Sequence, residues 1–230
     1  MDLTTVTDLA KKCVVGLVQL QAILALALFV PAWSLRWWQG WVYWLVFGGC
    51  CVAITAYFLK HDPALIERRI ESGPRAERET SQKIIQAIAG AMFFALMIIP
   101  ALDYRYRWSS VPTRVVVAGD VLVVVALAIF FLVLRENSFA AGTIKVEAQQ
   151  RVISTGPYRF VRHPMYAGGT LLFIATALAL GSLWALPVAG AVCATMIARL
   201  LDEERFLSAN LPGYDDYCRN VRYRLIPLVW

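Results

Sequence analysis

Residues 14–33, 41–59, 84–102 and 115–134 each form a nearly unbroken hydrophobic run. Crossing about 30 Å of hydrocarbon takes about 20 helical residues, and an isolated strand cannot cross because its backbone polar groups would lack partners. Each run therefore predicts a membrane-spanning helix. A fifth apolar stretch, 166–201, is too long for one crossing, and Gly181-Ser182 near its middle predicts a turn. Two helices of reduced length joined as a hairpin follow, giving about six spans in an all-α integral membrane protein. Four N-terminal helices then occupy 1–134, with an interfacial helix within 62–80, and a more polar region with the hairpin occupies 135–230.

The 62–80 segment opens with Asp62 as a helix N-cap and Pro63 at the first helical position. Leu65, Ile66 and Ile70 share one face against Glu67, Arg68, Arg69 and Glu71. That pattern predicts a helix lying on the membrane surface, with a substrate lid as the alternative. Trp37, Trp38, Trp41 and Trp44 cluster at the opposite, external border, where amphipathic rings commonly anchor.

Composition agrees with the spans: 59% of the chain is hydrophobic and 17% charged, against about 45–50% and about 25% in ordinary soluble domains. The net charge of +6 is read by position, because cytoplasmic loops carry the lysine and arginine excess. Most basic residues fall at Lys11 and Lys12, between Lys60 and Lys83, between Arg135 and Arg162, and between Arg199 and Arg224. Arg36, Arg105, Arg107 and Arg114 remain outside. This alternation predicts a multi-pass protein of a bacterial inner membrane, both termini cytoplasmic, with the first run a retained anchor. Nucleic acid is not an expected partner. Five cysteines without a CxxC pair and two distant histidines, His61 and His163, predict neither disulfides nor a metal site.

Candidate chemistry is concentrated late in the chain. Gly156-Pro157-Tyr158 bends it, and Pro164 suits the first turn of the following helix, leaving Arg162 and His163 at that helix's N-terminus. Such a terminus with an arginine can hold a carboxylate, and Tyr158 or Tyr166 can flank a flat ring. The competing reading is contact with lipid headgroups and a plain chain turn. Glu203 and Glu204 follow Asp202 where the last apolar helix should end, an acidic cluster that opposes the helix dipole. They suit a ribose diol or an α-ammonium group, or else form a solvated helix end with Arg199 pairing Glu203. Asp120, inside the fourth run, is a buried-acid oddity far from these groups.

Gly156-Pro-Tyr158, Arg162-His-Pro-Met-Tyr166-x-Gly168, Glu203-Glu204, Gly213-Tyr214-x-x-Tyr217 and the closing Arg224-Leu-Ile-Pro227 occur in that order. Together they resemble the superfamily of isoprenylcysteine carboxyl methyltransferases and phospholipid methyltransferases, over roughly residues 135–230. The resemblance implies that S-adenosylmethionine is the cofactor and 135–230 the catalytic region, with Arg162 to Tyr166 wrapping the cofactor and Glu203 and Glu204 binding it. The expected cofactor set is Arg151, Gly156, Pro157, Tyr158, Arg162, His163, Pro164, Tyr166, Glu203 and Glu204. Arg135, Glu204 and Arg219 are the expected catalytic residues. Arg135, Asn137, Tyr214, Tyr217, Arg219 and Arg222 are expected around the substrate. Two departures stand out: Gln150-Arg151 replaces a histidine that many relatives carry, and a Gly-x-Gly cofactor element has no counterpart.

The implied reaction is methylation of a lipophilic acceptor, first of all the carboxylate of an isoprenylcysteine-like molecule, with a phospholipid amine or small thiol as alternatives. Membrane lipid and a lipophilic or small-molecule acceptor are the expected partners. The rival from another class is an NADPH-dependent sterol-type reductase, whose C-terminal region looks similar, and the third is a non-enzymatic scaffold. The sequence does not fix the oligomeric state.

Overall fold

The computed structural model describes residues 3–70, 80–138 and 152–230. They form eight α-helices: α1 Leu3–Ala32, α2 Trp38–His61, α3 Pro63–Ile70, α4 Thr80–Tyr106, α5 Thr113–Glu136, α6 Pro164–Ala179, α7 Ala185–Asn210 and α8 Tyr214–Asn220. A 3-10 turn, Gly156–Arg159, precedes α6. Five helices, α1, α2, α4, α5 and α7, are long and apolar enough to cross a membrane. The all-helical membrane architecture therefore stands. The sixth passage is α6, apolar but only 16 residues long.

The expected hairpin is present but unequal. After α6, the Ser182 amide bonds to the Ala177 carbonyl (3.0 Å) and the Gly181 amide to the Leu178 carbonyl (3.0 Å). This is a Schellman stop with Gly181 in the left-handed conformation, φ 71°. Pro164 fixes the other end of α6, so its length is set by two backbone devices. Helix α7 has no such brake: Glu203, Glu204 and Arg205 favour helix, and it runs for 26 residues. The reduced length expected of both hairpin helices applies to α6 alone.

Without water to drive burial between helices, small residues that let backbones approach hold a membrane bundle together. Helix α5 packs most extensively on α6. A Cβ at Gly119 would strike the backbone of Leu178 and Ala179, and one at Gly168 would press on Ile129 and the Ala126 carbonyl. Across α2 and α6 the Tyr43 and Thr176 hydroxyls are 3.1 Å apart, both buried. Val14, Val18, Leu45, Val52, Val117 and Val121 remain exposed on the outer faces, as lipid-facing residues should.

Helix α3 follows Asp62, within the segment 62–80 where a helix is expected. Asp62 Oδ1 accepts from the Leu65 amide (3.1 Å), and Leu65 is buried beside Phe58 and Leu134. The Ser138 hydroxyl donates to Asp62 Oδ2 (2.7 Å) and Arg68 donates to the Ser138 carbonyl (2.7 Å), pinning α3 to the end of α5. The remainder of the expected segment, 71–79, lies outside the described residues.

At the other end of the bundle Asp103, 2% exposed, gathers three donors: the Ser109 amide (2.6 Å), the Ser109 hydroxyl (2.7 Å) and the Ser182 hydroxyl (2.5 Å). This ties the α6–α7 turn to the α4–α5 loop. The start of α6 and the end of α7 therefore lie together at the opposite end.

Candidate functional site

The polar residues at that opposite end are assembled from three segments. Thr155 donates its hydroxyl to the Glu136 carboxylate, and Gly156 follows at φ 56°, where a side chain would also run into that carboxylate. Only glycine fits both demands. The turn that follows presents Tyr158, whose hydroxyl accepts from Asn137 Nδ2 (2.9 Å).

Residues 162–163 then pair with the C-terminal tail: the Arg162 amide bonds to the Tyr223 carbonyl (2.8 Å) and the His163 amide to the Arg224 carbonyl (2.9 Å). Helix α8 is held by an apolar cluster of Leu211, Tyr214, Tyr217 and Val221 against Val152 and Tyr158. The Tyr217 hydroxyl donates to the Tyr158 carbonyl (2.8 Å).

Glu204 is the meeting point. Its carboxylate accepts from Arg224 Nε (2.7 Å) and faces Arg162 Nη1 (3.1 Å) and His163 Nε2 (3.3 Å). The Tyr214 hydroxyl lies 3.5 Å from the same histidine nitrogen. Glu203, the next residue on α7, turns instead toward α6 and accepts from the Tyr166 hydroxyl (2.6 Å). Arg199, one turn earlier, also approaches that hydroxyl. The adjacent acids thus serve different neighbours.

Burial, the dominant cause, raises the phenols of Tyr158, Tyr214 and Tyr217, that of Tyr158 to about 12. All three are neutral O–H groups at physiological pH. None is a ready proton acceptor.

The expected site residues separate clearly by position. Asn137, Pro157, Tyr158, Arg162, His163, Pro164, Tyr166, Glu203, Glu204, Tyr214 and Tyr217 converge on this end of the bundle with the Gly156 turn. Three arginines do not join them. Arg135 is exposed with its guanidinium 5.8 Å from the Phe131 ring. Arg219, 76% exposed, pairs with Asp216 at 3.3 Å, and Arg222 is exposed. Arg222 offers its carbonyl to Arg162 Nη2 (3.3 Å). Arg151 lies outside the described residues.

Arg224 was not among the expected site residues, yet it is the tail arginine that reaches Glu204. Its only signal was its place in the closing Arg-Leu-Ile-Pro run.

Arg162 supplies a test of fit for a bound cofactor. Its Nε is buried without a hydrogen-bond partner although Nη1 and Nη2 are engaged. A buried guanidinium N–H left over in this way suits an incoming carboxylate. Glu203 offers acceptor oxygens and the tyrosines offer aromatic faces within the same few residues. S-adenosylmethionine carries a carboxylate, a ribose diol, a flat base and a sulfonium cation, and this donor and acceptor set matches them.

Fold and site together define an all-helical membrane protein with a buried, charge-rich site at one end of its bundle. Residues 114–212, less than half of the chain, match the model of the family described as phospholipid methyltransferase. The matched stretch runs from α5 to just beyond α7, including Arg162 to Tyr166 and both glutamates but not the tail from Gly213. No curated protein matches the chain.

Proposed function

We propose that the protein transfers a methyl group from S-adenosylmethionine to a lipophilic acceptor, first of all the carboxylate of an isoprenylcysteine-like molecule. The observation that carries this reading is the buried Arg162 Nε without a partner, which with Glu203, Glu204, Tyr158 and Tyr166 falls within the family-matched region. When bound, the cofactor supplies an electrophilic methyl group on a sulfonium centre. Arg162 would hold its carboxylate, Glu203 its diol or ammonium group, and Tyr158, Tyr166 and Tyr214 the base and the cation. His163 and Arg224 act through Glu204, fixing the Arg162 guanidinium.

A carboxylate acceptor needs no general base, so the neutral phenols are no obstacle. Positioning and exclusion of water then supply most of the rate. Arg135, exposed at the end of α5 beside Asn137, would be the first cation met by an acceptor arriving from the lipid. The family description favours a second reading, a phospholipid amine, for which this cation would be a hindrance.

Binding of labelled S-adenosylmethionine and of NADPH to the purified protein tests the cofactor. Saturable binding of the first alone is expected, and binding of NADPH alone would replace the reading with a reductase. Transfer to a prenylated cysteine should give a methyl ester that releases methanol in alkali. A base-stable product on phospholipid would select the amine instead.

A further inference from the structure

The end of the bundle remote from Glu204 holds a cavity of about 500 Å³ between the α1–α2 turn, the α4–α5 loop and the α6–α7 turn. Sites for small ligands have volumes of about 300–1,000 Å³ with a few well-placed polar groups. Arg105 and Arg107 line this cavity, and neither makes an ion pair among the described residues. Arg105 is spread over two aromatic faces, 5.7 Å from the Trp33 ring centre and 5.4 Å from that of Tyr106. Gln39 lines the same cavity and keeps a buried Oε1 with no hydrogen-bond partner. Asp103 also borders it, but three donors from Ser109 and Ser182 occupy its oxygens.

The backbone adds an independent sign. Trp33 and Arg107 have positive φ values, 51° and 57°, at the left-handed stops of α1 and α4. Glycine is the usual residue there, because a Cβ crowds the following carbonyl oxygen in this conformation. Among the described residues, two of the three non-glycine residues in this conformation thus line one cavity. A cost carried twice at one place marks a ligand clamp more readily than a pair of ordinary helix ends.

The surroundings give the depth. Trp33, which lines the cavity, is 76% exposed, and the Trp108–Trp184 pair at the same end of the bundle is 51% and 60% exposed, aromatic rings of the kind found at headgroup level. We propose that this cavity binds a phosphodiester headgroup bearing a terminal hydroxyl or ammonium group. Arg105 and Arg107 take the phosphate and Gln39 Oε1 accepts from the terminal donor. The site is separate from methyl transfer and does not depend on that assignment.

The test is native mass spectrometry of the delipidated protein in detergent with added phosphatidylglycerol, glycerol 3-phosphate or diacylglycerol. A phosphatidylglycerol adduct is expected, and the R105Q/R107Q pair should weaken it roughly ten-fold or more through loss of charge-assisted bonds. Competition by glycerol 3-phosphate would identify the anion itself as sufficient. Failure to compete would identify the lipid as the ligand. Arg107→Gly separates binding from folding: the backbone cost is relieved, so the melting temperature should hold or rise while the adduct weakens. Equal retention of diacylglycerol, an unchanged adduct in the double variant, or the same loss in exposed Arg36→Gln would overturn the proposal.

Discussion

Removing the charge from Glu204 leaves two guanidinium groups, Arg162 and Arg224, facing each other across a largely buried space. Glu204→Gln should therefore release the tail as well as disturb the proposed cofactor site. Losing a charge-assisted hydrogen bond costs about 1.5–3 kcal/mol, so cofactor affinity should fall roughly ten-fold or more, read by equilibrium dialysis. The tail readout is quenching of Trp230, whose ring lies 5.2 Å from the Arg224 guanidinium. Tyr166 and Glu203 make the second residue-scale case, because their 2.6 Å bond joins α6 to α7. A double-mutant cycle with Tyr166→Phe and Glu203→Gln should give a coupling of about 0.5–3 kcal/mol, and additive effects would mean that the bond contributes nothing. Arg162, His163 and the glutamate pair were legible in the sequence because each lies in a short motif at a helix end. Arg224 was not, because only the pairing of the extended tail with residues 162–163 turns position 224 inward, while Arg219 on the short helix α8 faces outward.

At the scale of elements, the docking of α8 on the Gly156–Arg159 turn rests on buried phenols. Burial raises Tyr158, Tyr214 and Tyr217 above the ordinary tyrosine value of about 10. An acid raised in the folded state contributes fully below its unfolded value and loses that contribution as pH rises through the folded one. Tail docking should hold to about pH 10 and weaken above it, and Tyr217→Phe should reduce this alkaline loss. A hydrogen-exchange profile of 211–225 between neutral and alkaline pH checks both.

Helix contacts give a graded series. Gly119→Ala would push a methyl group into the rigid backbone at Leu178 and Ala179, so a loss of about 1–3 kcal/mol is expected. At Gly169 the neighbour is the flexible Met196 methyl, 2.5 Å from an added Cβ, and the loss should be smaller. Gly190 meets nothing within 4 Å, and alanine there should raise the melting temperature. If all three behave alike, close α5–α6 approach is not what holds the bundle. The spans were readable as hydrophobic runs, while their true ends were set by charged residues that extend a helix without interrupting it. The inequality of the hairpin was hidden for the same reason, since composition marks the Gly181 turn but not the polar turns added to α7.

For the whole molecule, the five long helices and α6 carry the chain back and forth six times, so α1 begins at the end of the bundle where the tail docks. The excess of lysine and arginine between the helices at that end supports a cytoplasmic assignment for it. Reporter fusions after Ser109 and after Trp230 should report opposite sides, and agreement between them would contradict six passages.

Helix α6 has 16 residues, about 24 Å, against a hydrocarbon layer of about 30 Å. Hydrophobic mismatch of this size is met by thinning the bilayer locally, at a cost of fractions of a kcal/mol per Å. Where α6 meets lipid, chiefly at Ile174, its one exposed residue, the annulus should be drawn toward the level of Pro164, bringing headgroups nearer the proposed site and shortening the climb of the polar end of a lipophilic acceptor out of the leaflet. Bilayer thickness then becomes a control variable for the proposed methyl transfer. In vesicles of short-chain lipid the apparent affinity for a membrane-borne acceptor should rise, and in long-chain vesicles it should fall, with binding of the water-soluble cofactor unchanged in both.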